Sequence, residues 1–106
     1  MLVVEVPEAA RRESKRVDFK QSLDIESRGE WCEVVKDIVT MANSGGGALV
    51  FGVLDDGRPF GADCTPLLTL DPAKVVDKIE AYTDIPFADF DVRPGDRGGK
   101  RVAVIE

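Results

Sequence analysis

Between Met41 and Gly57 the chain reads Met-Ala-Asn-Ser-Gly-Gly-Gly-Ala-Leu-Val-Phe-Gly-Val-Leu-Asp-Asp-Gly, and the order of these parts narrows what the fold can be. Residues patterned as a helix run into three glycines, then an apolar strand, then an acidic turn. A loop that cradles phosphate as nucleotide hydrolases do needs another order: strand, glycines, then a helix whose first N–H groups face the anion. Here Gly45, Gly46 and Gly47 follow the carbonyl end of a helix, and its partial negative charge repels anions. A simple ATP site is disfavoured, and the run instead predicts a junction between a helix and an interior strand.

Upstream, Ser27-Arg28-Gly29-Glu30 has the form of a capping box, with the serine oxygen taking one orphan N–H and Glu30 reaching back for another. Trp31, Val34, Val35, Ile38, Met41 and Ala42 recur at three-and-four spacing and predict the buried stripe of a helix. Glu33, Lys36, Asp37 and Thr40 take its other face, and Asn43 to Gly45 supply a left-handed stop. Ala48 to Leu54 is apolar on both faces apart from Gly52, as a covered interior strand would be. Asp55-Asp56-Gly57 turns the chain, and Pro59, Phe60 and Gly61 are expected to return as a short strand.

Asp71-Pro72 caps a second helix striped by Val75, Val76, Ile79 and Tyr82 and closed by Ile85-Pro86. Phe90 and Val92 face inward and alternate with Asp89 and Asp91; Pro94 to Gly99 then reads as a loop and Arg101 to Ile105 as a strand. The fold class predicted is α+β, a single domain with a mixed, largely antiparallel sheet and two helices.

A length of 106 residues with 43% hydrophobic content suits one core. Because the chain stops directly after an apolar strand, residues 1–106 are expected to be the amino-terminal part of a longer protein. The opening run Met1 to Pro7 is too short and lacks the basic flank of a secretion signal, and no stretch approaches a membrane span, so a cytoplasmic location and no membrane partner are expected. Cys32 and Cys64 form no CxxC pair and the chain has no histidine, which disfavours zinc and removes Ser-His or Cys-His nucleophile chemistry. Catalysis would have to rest on carboxylates, lysine or a metal ion. The net charge of −6 is uneven: Arg11, Arg12, Lys15, Arg16 and Lys20 stand against Glu13 and Asp18. That segment is the one candidate basic footprint.

Glu13-Ser14-Lys15-Arg16-Val17-Asp18-Phe19-Lys20, the capped helix bearing Trp31, and Ala42 to Gly47 leading into Phe51 to Gly57 and Gly61 together resemble the Schlafen AlbA_2 domain, in order and in spacing. The resemblance spans roughly residues 10 to 106. It implies a nucleic-acid-binding module, described for DNA, at the front of a bacterial transcriptional regulator, with no cofactor needed for binding. The related core of vertebrate Schlafens is similar to a nuclease that cuts transfer and ribosomal RNA with three acidic residues. By that resemblance the acids fall on Glu13, Asp18 and either Asp55 or Asp56, and Glu13, Asp18 and Asp55 would hold Mg or Mn. Asp18 replaces the family's usual glutamate and reaches one methylene less far.

Each residue also has a plainer reading. Asp55 and Asp56 are what a tight turn favours, Asn43 and Ser44 close helices, and Trp31 on an apolar stripe belongs to a core. If Glu13 to Lys20 is extended, Arg16, Asp18 and Lys20 share one face, while Lys15 lies with Val17 and Phe19 on the other. Arg16 and Lys20 are therefore the preferred phosphate contacts, then Lys15, with Asn43, Ser44, Gly45 and Gly46 close by, all in one polar groove that the hairpin aspartates join. Candidate partners are nucleic acid, DNA ahead of RNA, a second copy of the chain, and downstream domains. The alternatives are a metal-dependent endoribonuclease and a protein-interaction or dimerisation module.

Overall fold

The structure, a computed structural model, describes residues 6–14, 16–85 and 87–106; Met1 to Glu5, Lys15 and Pro86 lie outside the described residues, and with them the expectations placed there. In chain order come a 3-10 turn (Pro7–Ala9), β1 (Val17–Lys20), α1 (Arg28–Asn43), β2 (Ala48–Phe51), α2 (Thr65–Leu68), α3 (Pro72–Thr83), β3 (Val92–Arg97) and β4 (Lys100–Ile105). The strands form one sheet in the order β1-β2-β4-β3. β1 and β2 are parallel, and the other two pairings are antiparallel. The mixed, largely antiparallel sheet with two long helices is as the sequence predicts.

Alternation along β2 builds the two sides of the core. Leu49 and Phe51 face α1 and α3, packing with Trp31, Val34, Val35, Ile38, Val75 and Ile79, while Ala48 and Val50 join Phe19, Val53, Val102 and Val104 beneath the 3-10 turn and Ala10. Trp31 is fully buried, and its indole N–H donates to the Ile25 carbonyl at 2.6 Å, so it is core and not a stacking platform. Burying such a ring contributes on the order of 3 kcal/mol.

Local chemistry sets the helix ends. Ser27 Oγ accepts the Glu30 N–H at 3.2 Å, but the Glu30 carboxylate reaches beyond the cap to the Asp24 N–H at 3.3 Å, because the Ser27 N–H already donates to the Asp24 carbonyl. Asp71 caps α3 through the Ala73 N–H, with Pro72 in the first turn. α3 ends on Asp84, at φ 60°. Tyr82 and Ala42 lie exposed at the edges of their predicted stripes, and the Tyr82 hydroxyl donates to the Arg28 carbonyl at 3.0 Å.

Four expectations change. The interior strand expected through Leu54 stops at Phe51, and the return strand at Pro59 to Gly61 shrinks to one bridge, Val53 to Pro59, because Gly52 at φ 101° bends the chain out of β2. Thr65–Leu68 forms an extra helical turn, started by Pro66 within the first turn. The expected loop from Pro94 is mostly strand: β3 runs through Arg97, and only Gly98 and Gly99, at φ 58° and 80°, make the turn into β4. Proline is tolerated there because β3 is an edge strand.

Candidate nucleic-acid interface

β1 is the other edge, and the way its edge is closed builds the site. Its inward groups bond β2 and the residues beyond it: Ala48 N–H donates to the Arg16 carbonyl at 2.8 Å and Gly52 N–H to the Lys20 carbonyl at 2.7 Å. The outward groups are met by the chain just before the strand. Ser14 N–H donates to the Val17 carbonyl at 2.9 Å, and Glu13 Oε1 accepts the Phe19 N–H at 3.0 Å. Residues before β1 thus fold back along its edge, which brings Arg11 and Arg12 to the end of the strand where Arg16 lies.

Arg16 Nη1 donates to the Gly45 carbonyl at 3.4 Å. Arg11, Arg12, Arg16 and the Gly45–Gly47 loop line one open groove of about 660 Å³, with Glu13, Ser14, Val17, Ala48 and Glu106 also on its walls. The glycines have separate reasons. Gly45 and Gly46 take φ 93° and 107°, where side chains are strained, and a Cβ on Gly47 would come within 2.9 Å of the Arg16 carbonyl and 2.8 Å of Met41 Sδ. Among the described residues, none of Arg11, Arg12 and Arg16 makes an ion pair, whereas Arg58 and Arg93 do.

Lys20 lies at the opposite end of β1, outside that groove. Its ammonium pairs with Asp18 at 2.9 Å and with Asp37 of α1 at 2.5 Å. Burial would lower its pKa, but the hydrogen bonds it donates to Asp37 and Asp18 outweigh that and raise it. The single groove predicted from the sequence is therefore divided, with Arg16 beside the glycines and Lys20 tied between β1 and α1. Asn43 and Ser44 stay exposed at the end of α1, where the Ser44 N–H donates to the Met41 carbonyl at 3.0 Å.

The acidic residues gather only in part. Burial raises the pKa of the Glu13 carboxyl, the Phe19 N–H opposes this, and the charges of Asp18 and Asp55 raise it further. Asp56 is turned to Arg58, whose backbone N–H and guanidinium lower its pKa. Among the described residues, no three acidic or cysteine side chains are placed to hold a metal ion. The donors do not fit Mg or Mn as they stand, since Glu13 is engaged with the Phe19 N–H and Asp18 with Lys20. Cys32 and Cys64 are free thiols, and burial raises the pKa of Cys64.

A tether not visible in the sequence fastens the first segment. Arg93 on β3 grips the Glu8 carboxylate with two nitrogens, at 2.6 and 2.9 Å, and these bonds hold the Glu8 pKa low. Partners so far apart in sequence carry no local pattern.

Residues 13–106 match the family model described as Schlafen, AlbA_2. The chain belongs to the Schlafen AlbA_2 family. Among solved structures, this AlbA_2 domain is similar to the DIP2311 protein from Corynebacterium diphtheriae, at 27% identity and a TM-score of 0.58, over 86% of this chain and 20% of that one. The domain thus spans about a fifth of the length of that structure. No curated protein matches it. Family membership suggests a nucleic-acid-binding or related domain. Arg11 and Arg12 precede the first matched residue, so their place in the groove comes from the geometry alone. Among the described residues no helix is long and apolar enough to cross a membrane.

Proposed function

We propose that this AlbA_2 domain binds nucleic acid, DNA ahead of RNA, by holding the phosphate backbone in the groove between Arg11, Arg12, Arg16 and the Gly45–Gly47 loop, as one part of a bacterial transcriptional regulator. The observation that carries this reading is three arginines without ion-pair partners among the described residues, lining one groove of a chain with net charge −6. A guanidinium can meet two phosphate oxygens at once, and glycine lets a backbone approach closely. Lys20 serves in this reading as an internal tie and contacts no phosphate, because two carboxylates already share its charge.

The test is an anisotropy titration with single- and double-stranded DNA and RNA at two salt concentrations. Arg16→Glu is expected to weaken binding to every sequence alike and to flatten the plot of log affinity against log salt by about 0.9 on duplex DNA, one phosphate's share. Lys20→Glu is expected to lower stability while leaving that slope in place. Unchanged binding in Arg12→Glu/Arg16→Glu would remove the footprint.

A second reading, an endoribonuclease using Glu13, Asp18 and Asp55, draws on the nearness of Asp18 and Asp55 to Glu13, whose pKa their charges raise, and it requires Asp18 to leave Lys20 and Glu13 to leave the Phe19 N–H before a metal ion could be held. Cleavage of structured RNA in the presence of Mn²⁺ that disappears in Asp18→Asn would support it. Equal cutting by the variant, or none by the parent protein, would end it.

A further inference from the structure

Arg97, at the end of β3, joins three segments that are distant in sequence. Its Nε donates to the Gly57 carbonyl at 2.8 Å, and its Nη1 donates to the Glu8 carbonyl at 2.9 Å and also to that of Ala10. The guanidinium lies over the Phe19 ring, 4.8 Å from its centre. The turn after the hairpin aspartates is pressed against the same place, since a Cβ on Gly57 would sit 2.7 Å from the Arg11 carbonyl. One side chain thus fixes the backbone on the near side of Arg11 and Arg12, and ties it both to β1 and to the Asp55–Gly57 turn.

We infer that Arg97 is a positioning residue for nucleic-acid binding: it touches no phosphate, and by holding the carbonyls of Glu8 and Ala10 it sets where Arg11 and Arg12 meet the groove. The inference rests on the binding function proposed above. A guanidinium suits this work because its planar fork presents several donors in fixed directions, while its cationic face packs on an aromatic ring. Lysine has a single nitrogen on a flexible stem and cannot serve all three carbonyls in the same geometry. Arg16, held by the Gly45 loop, does not depend on this hub.

The inference is tested by two measurements on the 106-residue chain. Hydrogen exchange read by mass spectrometry over residues 6–13 needs no ligand: Arg97→Ala is expected to speed it by about tenfold, because several backbone tethers open together. In the anisotropy titration with duplex DNA, Arg97→Ala is expected to lower affinity and salt slope as far as Arg11→Ala/Arg12→Ala does, and the triple variant is expected to lose nothing more. Arg97→Lys is expected to fall between the parent and Arg97→Ala in both measurements. Parent-like exchange and binding in Arg97→Ala, or losses that add in full in the triple variant, would overturn the inference. If Arg97→Ala does not fold, Arg97→Lys decides, and exchange equal to the parent's overturns it. Absence of nucleic-acid binding by the parent protein sinks the proposed function, and with it the role given to Arg97; the exchange measurement then reports only whether Arg97 fastens the first segment.

Discussion

Glu8 and Glu13 carry their charges against opposite forces. Arg93 lowers the Glu8 pKa, so the stability this pair contributes is fully present above the usual glutamate value of 4.5 and is lost as pH falls through the lower folded value. Glu8→Gln is therefore expected to destabilise the domain at neutral pH by about 1.5 to 3 kcal/mol, the range for a charged hydrogen bond, and the gap should close as pH falls through that lowered folded value. Glu13 behaves in the reverse sense, because burial and its acidic neighbours raise its pKa. Its ionised form costs stability above the raised value, and that cost is relieved as pH falls. Urea denaturation of the parent and both Glu→Gln variants across the acid range would show the two differences moving in opposite directions.

At the level of elements, the junction from α1 into β2 was legible because capping, stripe and glycine stop agree along one stretch of chain. Gly47 there answers a packing demand, with the Arg16 carbonyl and Met41 Sδ where a side chain would begin. Gly47→Ala is expected to cost about 1 to 3 kcal/mol as the two strands are pushed apart, measured as a lowered denaturation midpoint. Nucleic-acid affinity should fall as well, since the same carbonyl belongs to Arg16. The hairpin from β3 to β4 reads as a loop in the sequence, although a Gly-Gly pair between extended residues favours a two-residue turn. Pro94 hid it, because a proline argues against a strand until the strand is known to lie at an edge.

Across the whole molecule, both sheet edges are blocked by the chain's own means. β1 is covered by Glu13 and Ser14. On β3, the mutual bonds of Asp91 and Glu106 make Arg93 and Gly95 the residues that bond β4, so Pro94 turns its missing N–H outward. Pro94→Thr restores a donor in the middle of that edge and is expected to produce concentration-dependent self-association by light scattering, with the parent remaining smaller. Parent and variant of equal size would show that the edge is guarded by something else. What the sequence alone determined was each element whose signal is local: both long helices with their caps, the interior strand, the core position of Trp31, and a basic strip in an acidic chain. Tertiary structure decided which charges in that strip are free. Arg16 and Lys20 share a strand face, yet Asp37 from α1 takes the lysine and the glycine loop meets the arginine, and Arg93 and Arg97, from the far end of the chain, bond Glu8 and Ala10 just ahead of Arg11 and Arg12. Periodicity reports which way a side chain points from its own backbone; the opposite charge that meets it comes from another segment, and only the folded chain brings the two together.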